Sequence, residues 1–344
     1  MSFFSDASER PEITQVHPGA AIQGGELEIR GTGFSHGNRP KVLIGDVSAQ
    51  IIVGSDSFVI ARVPEGADNG ALHVDNGDRI SAAWLCEIGT PLASDMHPVA
   101  SPAVDAAGNI FTAFSGARGQ RTPVSVYKIE KNRPATPMLA DIMNATAVAF
   151  DREGLLYISS RQDGIVYQST PNGQLSVFVE GMGVATGMAF DDEGNLYVGD
   201  RSGTIFKVSP TRQIYVFATV EASIAAYHLA FGDDKYLYIT GPTTSSFDVV
   251  SRIAPNGEVE VFYRGLGRPQ GLAFDGAGNL YVAASIRGRR GVVRITPAAE
   301  AELYLSGQGI VGLAFTPSAE LAIATISAIH LVDVGIAGRA IWPC

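Results

Sequence analysis

In the stretch GMAFDDEGNLYVGD, residues 187–200, Asp191, Asp192 and Glu193 stand in a row beside Gly194. Oxygen ligands gathered on one short loop suit calcium or magnesium. An Asp that caps a turn, followed by a Gly free to take positive φ, is equally what a tight hairpin connection requires. The other residues able to do chemistry are mostly basic. Arg118 and Arg121 lie in SGARGQR, Arg161 in SRQDG, Arg201 in DRSG, and Arg287, Arg289 and Arg290 in SIRGRRG, with Arg264 and Arg268 shortly before. Arginine's planar fork of donors fits carboxylates and phosphates. Tyr227 beside His228 has the residue types of an acid–base pair, although a histidine in the place of a packing glycine reads as well structurally. His17, His36, His73 and His330 show no ligand spacing. No GxxxxGK[ST], GxSxG, HExxH or CxxC occurs, so nothing points to a nucleotide or covalent mechanism.

The elements that position these residues repeat. GMAFDDEGNLYV at 187 has counterparts GLAFDGAGNLYV at 271 and AVAFDREGLLYI at 147, and weaker ones HLAFGDDKYLYI at 228, SPAVDAAGNIFT at 101 and GLAFTPSAELAI at 312. Successive starts are 46, 40, 41, 43 and 41 residues apart. Each period holds four short runs of alternating apolar and polar residues, the period-2 pattern of strands. Four strands per repeat of ~40 residues is the signature of a β-propeller blade. The spacing therefore predicts a six-bladed propeller over 91–344, with blades starting near 97, 143, 183, 224, 267 and 308. Residues 11–90 lack the repeat and read as short strands split by Gly, Asp and Pro turns, a small β-sandwich. The fold class expected is all-β.

Pro11, Ile13, Pro18, Gly24, Gly25, Gly31, Gly33, Phe34, Ile44, Gly45, Val63 and Pro64 form a pattern that resembles a TIG/IPT immunoglobulin-like domain. The GLAFDxxGNLYV repeats resemble the NHL and senescence-marker/gluconolactonase group of six-bladed propellers. That second resemblance implies a site at the channel mouth, on the face shared by the loops entering the inner strands and the loops between second and third strands. It also implies a divalent cation held by Glu, Asn and Asp just before the pair that opens an inner strand. Here those places hold Ala100, Thr146, Thr186, Tyr227, Gln270 and Val311, none of them a carboxylate. Asn144 lies two residues further out, and Asp200 matches a common Asp of the group. The family's metal site is thus not kept, and no cofactor is expected; calcium or another divalent cation belongs only to a gluconolactonase-like hydrolase or lyase, with Asn144, Asp200, Tyr227 and His228 as its polar groups. The reading preferred is a binding protein. In it Arg118, Arg121, Arg161, Arg201, Arg268, Arg287 and Arg289, with Asn144 and Gln270, take an anionic small molecule, a sugar acid or a partner surface. The acidic turns should lie on the opposite face.

The bulk properties agree with a globular chain: 46% of residues are hydrophobic and 17% charged. A net charge of −10 argues against nucleic acid or acidic lipid as partner, while 20 of the 25 basic residues are Arg, so scattered solvated arginines are the plain alternative to a basic crown. No apolar run reaches the ~18 residues of a membrane span. The start lacks a secretory signal, which reads as cytoplasmic, and a trimmed exported chain would read the same. Cys86 and Cys344 read as free thiols rather than a disulfide. Two closures of the ring are open: the last blade supplies its own fourth run, GRAIW, or SAAWLCEI at 81–88 pairs with it.

Overall fold

The computed structural model describes residues 10–35, 38–68, 70–116, 120–244 and 248–339. Every helix or strand among them is a strand. Arg118, His36 and Cys344 lie outside the described residues. The chain divides into two compact units, residues 1–90 with 303–308, and residues 91–302 with 309–344.

In the first unit Glu12–His17, Glu26–Thr32, Phe58–Arg62 and Val47–Gly54 form one antiparallel layer. Val47–Gly54 also pairs with Lys41–Ile44, which carries Gly70–Asp75 on its other edge. One side of each strand is buried and the other wet: Leu27 and Ile29, Val42 and Ile44, Val59 and Ala61, and Leu72 and Val74 are all fully buried. They meet around Phe34 as one core. This is the alternation that a sandwich requires.

The second unit is the propeller. Blade 1 is built from Ala103–Val104, Ile110–Ala113, Val126–Ile129 and Thr136–Leu139. Blade 2 runs Ala145–Phe150, Leu156–Ser160, Ile165–Ser169 and Leu175–Val179, and blade 3 Ala185–Phe190, Leu196–Asp200, Thr204–Val208 and Ile214–Thr219. Blade 4 has His228–Phe231, Leu237–Thr240, Asp248–Ile253 and Val259–Leu266. Blade 5 has Leu272–Phe274, Leu280–Ile286 and Arg289–Ile295, and its outer strand begins at Ala301. In blade 6 Ile310–Phe315, Glu320–Thr325 and Ala328–Asp333 pair in order. The strand Trp84–Ser94, which passes into this unit beyond Thr90, pairs with Ala328–Asp333. Its Leu92 and Ala93 pack on the cluster that holds Ile329 and Leu331. A segment preceding blade 1 thus completes the last blade, and Gly338–Arg339, the described part of GRAIW, instead crosses to the turns of blade 5.

The recurring Phe and Tyr of the motif explain how neighbouring blades adhere. The second-strand ring of one blade meets the inner-strand Phe of the next edge-on: Phe111 with Phe150, Tyr157 with Phe190, Tyr197 with Phe231, Tyr238 with Phe274 and Tyr281 with Phe315, at centroid distances of 4.8–5.1 Å. Edge-to-face pairs of this kind add ~0.5–1.5 kcal/mol each beyond their buried area.

The acidic turn is also explained. Asp191 Oδ1 accepts the backbone N–H groups of Glu193 (2.9 Å) and Asn195 (2.8 Å), and Oδ2 accepts Asn195 Nδ2 (2.8 Å) and the Tyr197 hydroxyl (3.2 Å). Asp275 repeats this set with Ala277, Asn279 and Tyr281. Asp105 repeats it with Ala107 and Asn109. Gly194 takes φ +80° at the left-handed corner of the hairpin, and where glycine is missing Lys235 (+64°) and Ala319 (+61°) accept the same conformation. The first Asp builds the turn with its own chain.

Candidate functional site

At the loop face, the arginines follow a rule that the strands impose. Arg161 and Arg201 each begin the loop after a second strand, and their backbone N–H groups donate to the segment that enters their own inner strand, at Asn144 O (3.3 Å) and Val184 O (3.2 Å). Their side chains then reach sideways to neighbouring blades. Arg161 Nη2 donates to Gly116 O of blade 1 (3.2 Å), and Arg201 Nε to Ser223 O before blade 4 (3.4 Å). Asn144, buried and at φ +50°, donates its Nδ2 to the same Gly116 carbonyl (3.0 Å). Gly116, Asn144 and Arg161 are therefore one contiguous group across blades 1 and 2. Burial first, and Arg201 second, hold the Arg161 guanidinium below its ordinary pKa.

Arg121, Arg268 and Arg287 are exposed, and Arg289 is half-buried. No hydrogen bond or contact joins them to the Asn144 group among the described residues, and Gln270 uses its backbone, donating to Ala283 O (2.8 Å) and accepting the Thr240 hydroxyl. The arginines differ in pairing state: Arg10 meets a carbonyl, and Arg30 and Arg212 lie over Phe58 and Phe178. Arg62, Arg133, Arg152, Arg252, Arg294 and Arg339 all form ion pairs with carboxylates. Among the described residues Arg121, Arg161, Arg201, Arg268 and Arg287 form none.

The proposed acid–base group is not assembled. Tyr227 is buried in the packing between blades 3 and 4, against Gly199 and Gly241, and its hydroxyl donates to the Glu221 carbonyl. Its pKa is pushed up to about 12 by burial and then by Glu221 and Asp200. His228 is 5% exposed, and burial holds its pKa down at about 4, so the ring is neutral. Adjacent strand residues point to opposite faces, so the two rings cannot act as a pair. Asp200 is occupied by its own loop: Oδ1 accepts Val184 N–H (2.8 Å) and Oδ2 the Ser202 hydroxyl. Asp200 and Asn144 thus spend polar atoms on their own surroundings, and His228 is buried. No set of three or more His, Cys, Asp or Glu side chains placed to hold a metal occurs among the described residues.

A cavity of about 390 Å³ lies in the propeller at the other end of the inner strands, lined by their last residues and by the acidic turns. None of the candidate catalytic or anion-binding residues lines it, although Asp191 and Asp192 of the acidic turn do. The turn face thus holds a cavity, and Asp192 stands at its rim. Asp192 Oδ1 accepts Arg152 Nη2 (2.9 Å) and Arg339 Nη2 (2.9 Å), while Arg339 Nε reaches Asp233 (2.5 Å). The strap that carries Arg339 is tied to blade 5 by Gly276 N–H to Ala337 O (2.9 Å) and Arg339 N–H to Phe274 O (3.0 Å). Sequence reading missed Arg152 and Arg339 because they are remote from the repeat's arginine loops.

Residues 11–83 match the model of the IPT/TIG domain. No curated protein matches the sequence. An auxiliary nutrient binding protein from Bacteroides thetaiotaomicron is similar in structure, with a TM-score of 0.56 at 12% identity over 94% of this chain and 98% of that one. A gluconolactonase from Xanthomonas campestris gives 0.61 at 16% identity over 72% and 90%. A virginiamycin B lyase from Staphylococcus aureus gives 0.50 at 12% over 95% and 95%. The likeness is one of fold: an all-β chain with a TIG domain at its start and a propeller of a kind found in binding proteins and in enzymes.

Proposed function

We propose that the protein is a binding protein whose propeller takes a small anion, of the sugar-acid class, at the loop face around Arg161 and Arg201. The observation that carries the reading is the electrostatic influence of one carboxylate-free arginine, Arg201, on another, Arg161, in the adjacent blade. Neither Arg161 nor Arg201 meets a carboxylate, each spends a single side-chain N–H on a backbone carbonyl, and the charge of Arg201 helps to hold the Arg161 pKa down. Holding like charges together costs energy unless an anion offsets it, and the remaining donors form a fork for a carboxylate. Asn144 steadies the Gly116 carbonyl beside them. The nutrient-binding neighbour supports a binding role in general terms. The hydrolase reading is less favoured because Asp200 and Tyr227 bond to their own surroundings and His228 is buried.

Calorimetric titration of the full chain with gluconate, glucuronate and galacturonate tests the reading. At least one should bind, and Arg161→Ala with Arg201→Ala should abolish binding while circular dichroism shows the fold kept, the exposed Arg201 costing under ~0.5 kcal/mol and the half-buried Arg161 about 1 kcal/mol. Equal binding by wild type and double variant, or no binding of any of the three, refutes it.

A further inference from the structure

Each inner strand carries an alanine one residue before its end: Ala103, Ala149, Ala189, Ala230, Ala273 and Ala314. All six line the cavity at the turn face. Two residues earlier, on the same side of the strands by alternation, stand Ser101, Ala147, Gly187, His228, Gly271 and Gly312. At that level the backbones draw together: a Cβ on Gly271 would stand 2.4 Å from Gly312 Cα, and one on Gly312 would stand 2.3 Å from Ser101 Cα. At the alanine level the strands have room, and no blade fills it. Protein interiors pack nearly as densely as organic crystals, and voids beyond the size of a water are few. A leucine or methionine from one or two blades would close this space, yet every blade presents a methyl group. The volume of about 390 Å³ falls within the ~300–1,000 Å³ of small-molecule sites.

The charges at the cavity define its occupant. Asp192 is matched by Arg152 and Arg339, and Asp191 by its own turn and by Lys207 at 3.9 Å. The lining thus offers no unmatched charge. Between the alanines stand Phe150, Phe190, Phe231, Phe274 and Phe315. We infer that this end of the channel binds a small, uncharged, mostly apolar molecule, aromatic or branched, beneath the strap Ile336–Arg339. The site is separate from the anion site and stands whether or not that reading holds.

The uncharged fluorescent amine N-phenyl-1-naphthylamine, titrated into the full chain, tests the inference. Saturable single-site enhancement is expected. Ala230→Leu with Ala273→Leu should weaken it by about tenfold or more through loss of volume, since a filled pocket excludes its ligand, and Arg161→Ala with Arg201→Ala should leave it unchanged. Should the leucine variant fail to fold, wild-type protein labelled at alanine methyls provides the reading by nuclear magnetic resonance. Saturating probe should shift the signals of the six ring alanines. Absence of saturable binding, undiminished binding by a folded leucine variant, or shifts confined to other methyls overturns the inference.

Discussion

Replacing Asp191 and Asp192 one at a time separates scaffold from surface within two adjacent acids. Asp191→Ala removes the acceptor of four hydrogen bonds. The Tyr197 hydroxyl belongs to a residue only 4% exposed, so its loss approaches the full ~1–3 kcal/mol of a stranded buried group. The N–H groups of Glu193 and Asn195 lie at a surface hairpin where water substitutes, at ~0.5–1 kcal/mol each. The sum is about 3 kcal/mol, or ~6–12 °C in melting temperature for a unit of this size. Asp191→Asn keeps the shape and one good acceptor oxygen and should lose about a third of that. Asp192→Ala removes only half-exposed ion pairs to Arg152 and Arg339 and should cost under ~1 kcal/mol. Thermal melts followed by circular dichroism, with and without calcium, give the comparison. The reasoning is refuted if Asp192→Ala costs as much as Asp191→Ala, or if calcium raises the melting temperature of wild type but not of Asp191→Ala.

Burial holds His228 and His330 at about 4, below the ordinary 6.5, so the unfolded chain takes up these protons first. The stability they support is complete above pH ~6.5 and falls as pH drops toward 4, by about 2–3 kcal/mol per residue at pH 4.5; urea melts at pH 7.5 and 4.5 should therefore show a smaller difference for His228→Gln than for wild type, and equal differences would contradict the assignment. The Cys86 thiol, 4% exposed, is pushed up to about 12 by burial and then by Glu87, so it should resist a disulfide reagent such as dithionitrobenzoate at pH 8 until the protein unfolds. Rapid labelling of that residue in the native protein, located by peptide mass spectrometry, would disprove this.

The fold was legible because its demands are local and repeated. An Asp that caps a turn, a Gly at a left-handed corner, a Phe before the turn and a Tyr after it are each required by one hairpin and its neighbour, so they recur in the sequence at the blade period. Blade 6 shows the limit: Thr316 and Ala319 replace Asp and Gly in TPSAE, and the turn persists because Thr316 Oγ1 accepts Glu320 N–H (3.2 Å) and Ala319 takes φ +61°. Ring closure was less legible, since the strand that completes blade 6 precedes blade 1 and carries no repeat letter. Arg161, Arg201 and Arg287 follow second strands as read, whereas Arg289 and Arg290 open the third strand of blade 5 and Arg264 lies within the last strand of blade 4; whether a guanidinium meets a carboxylate depends on residues from other blades, which no spacing reveals. Tyr227 and His228 misled because adjacency in sequence places strand residues on opposite faces.

The cavity had a signal that reasoning from the turn overlooked. In SPAV, AVAF, GMAF, HLAF and the two copies of GLAF the first two letters change, and the third is alanine every time. Strand propensity does not favour alanine, although Ala103 and Ala189 also belong to the clusters packed between blades. A methyl at the same depth in six strands is a requirement of the axis they share. The position two residues earlier shows what happens where the axis makes no such demand: Ser, Ala, Gly and His all occur, and the one large side chain, His228, is tolerated in full burial as a neutral ring. The two levels of the channel are thus under opposite constraints. One is closed by backbone approach, whereas the other is kept open by every blade, the pattern that the inferred apolar ligand requires.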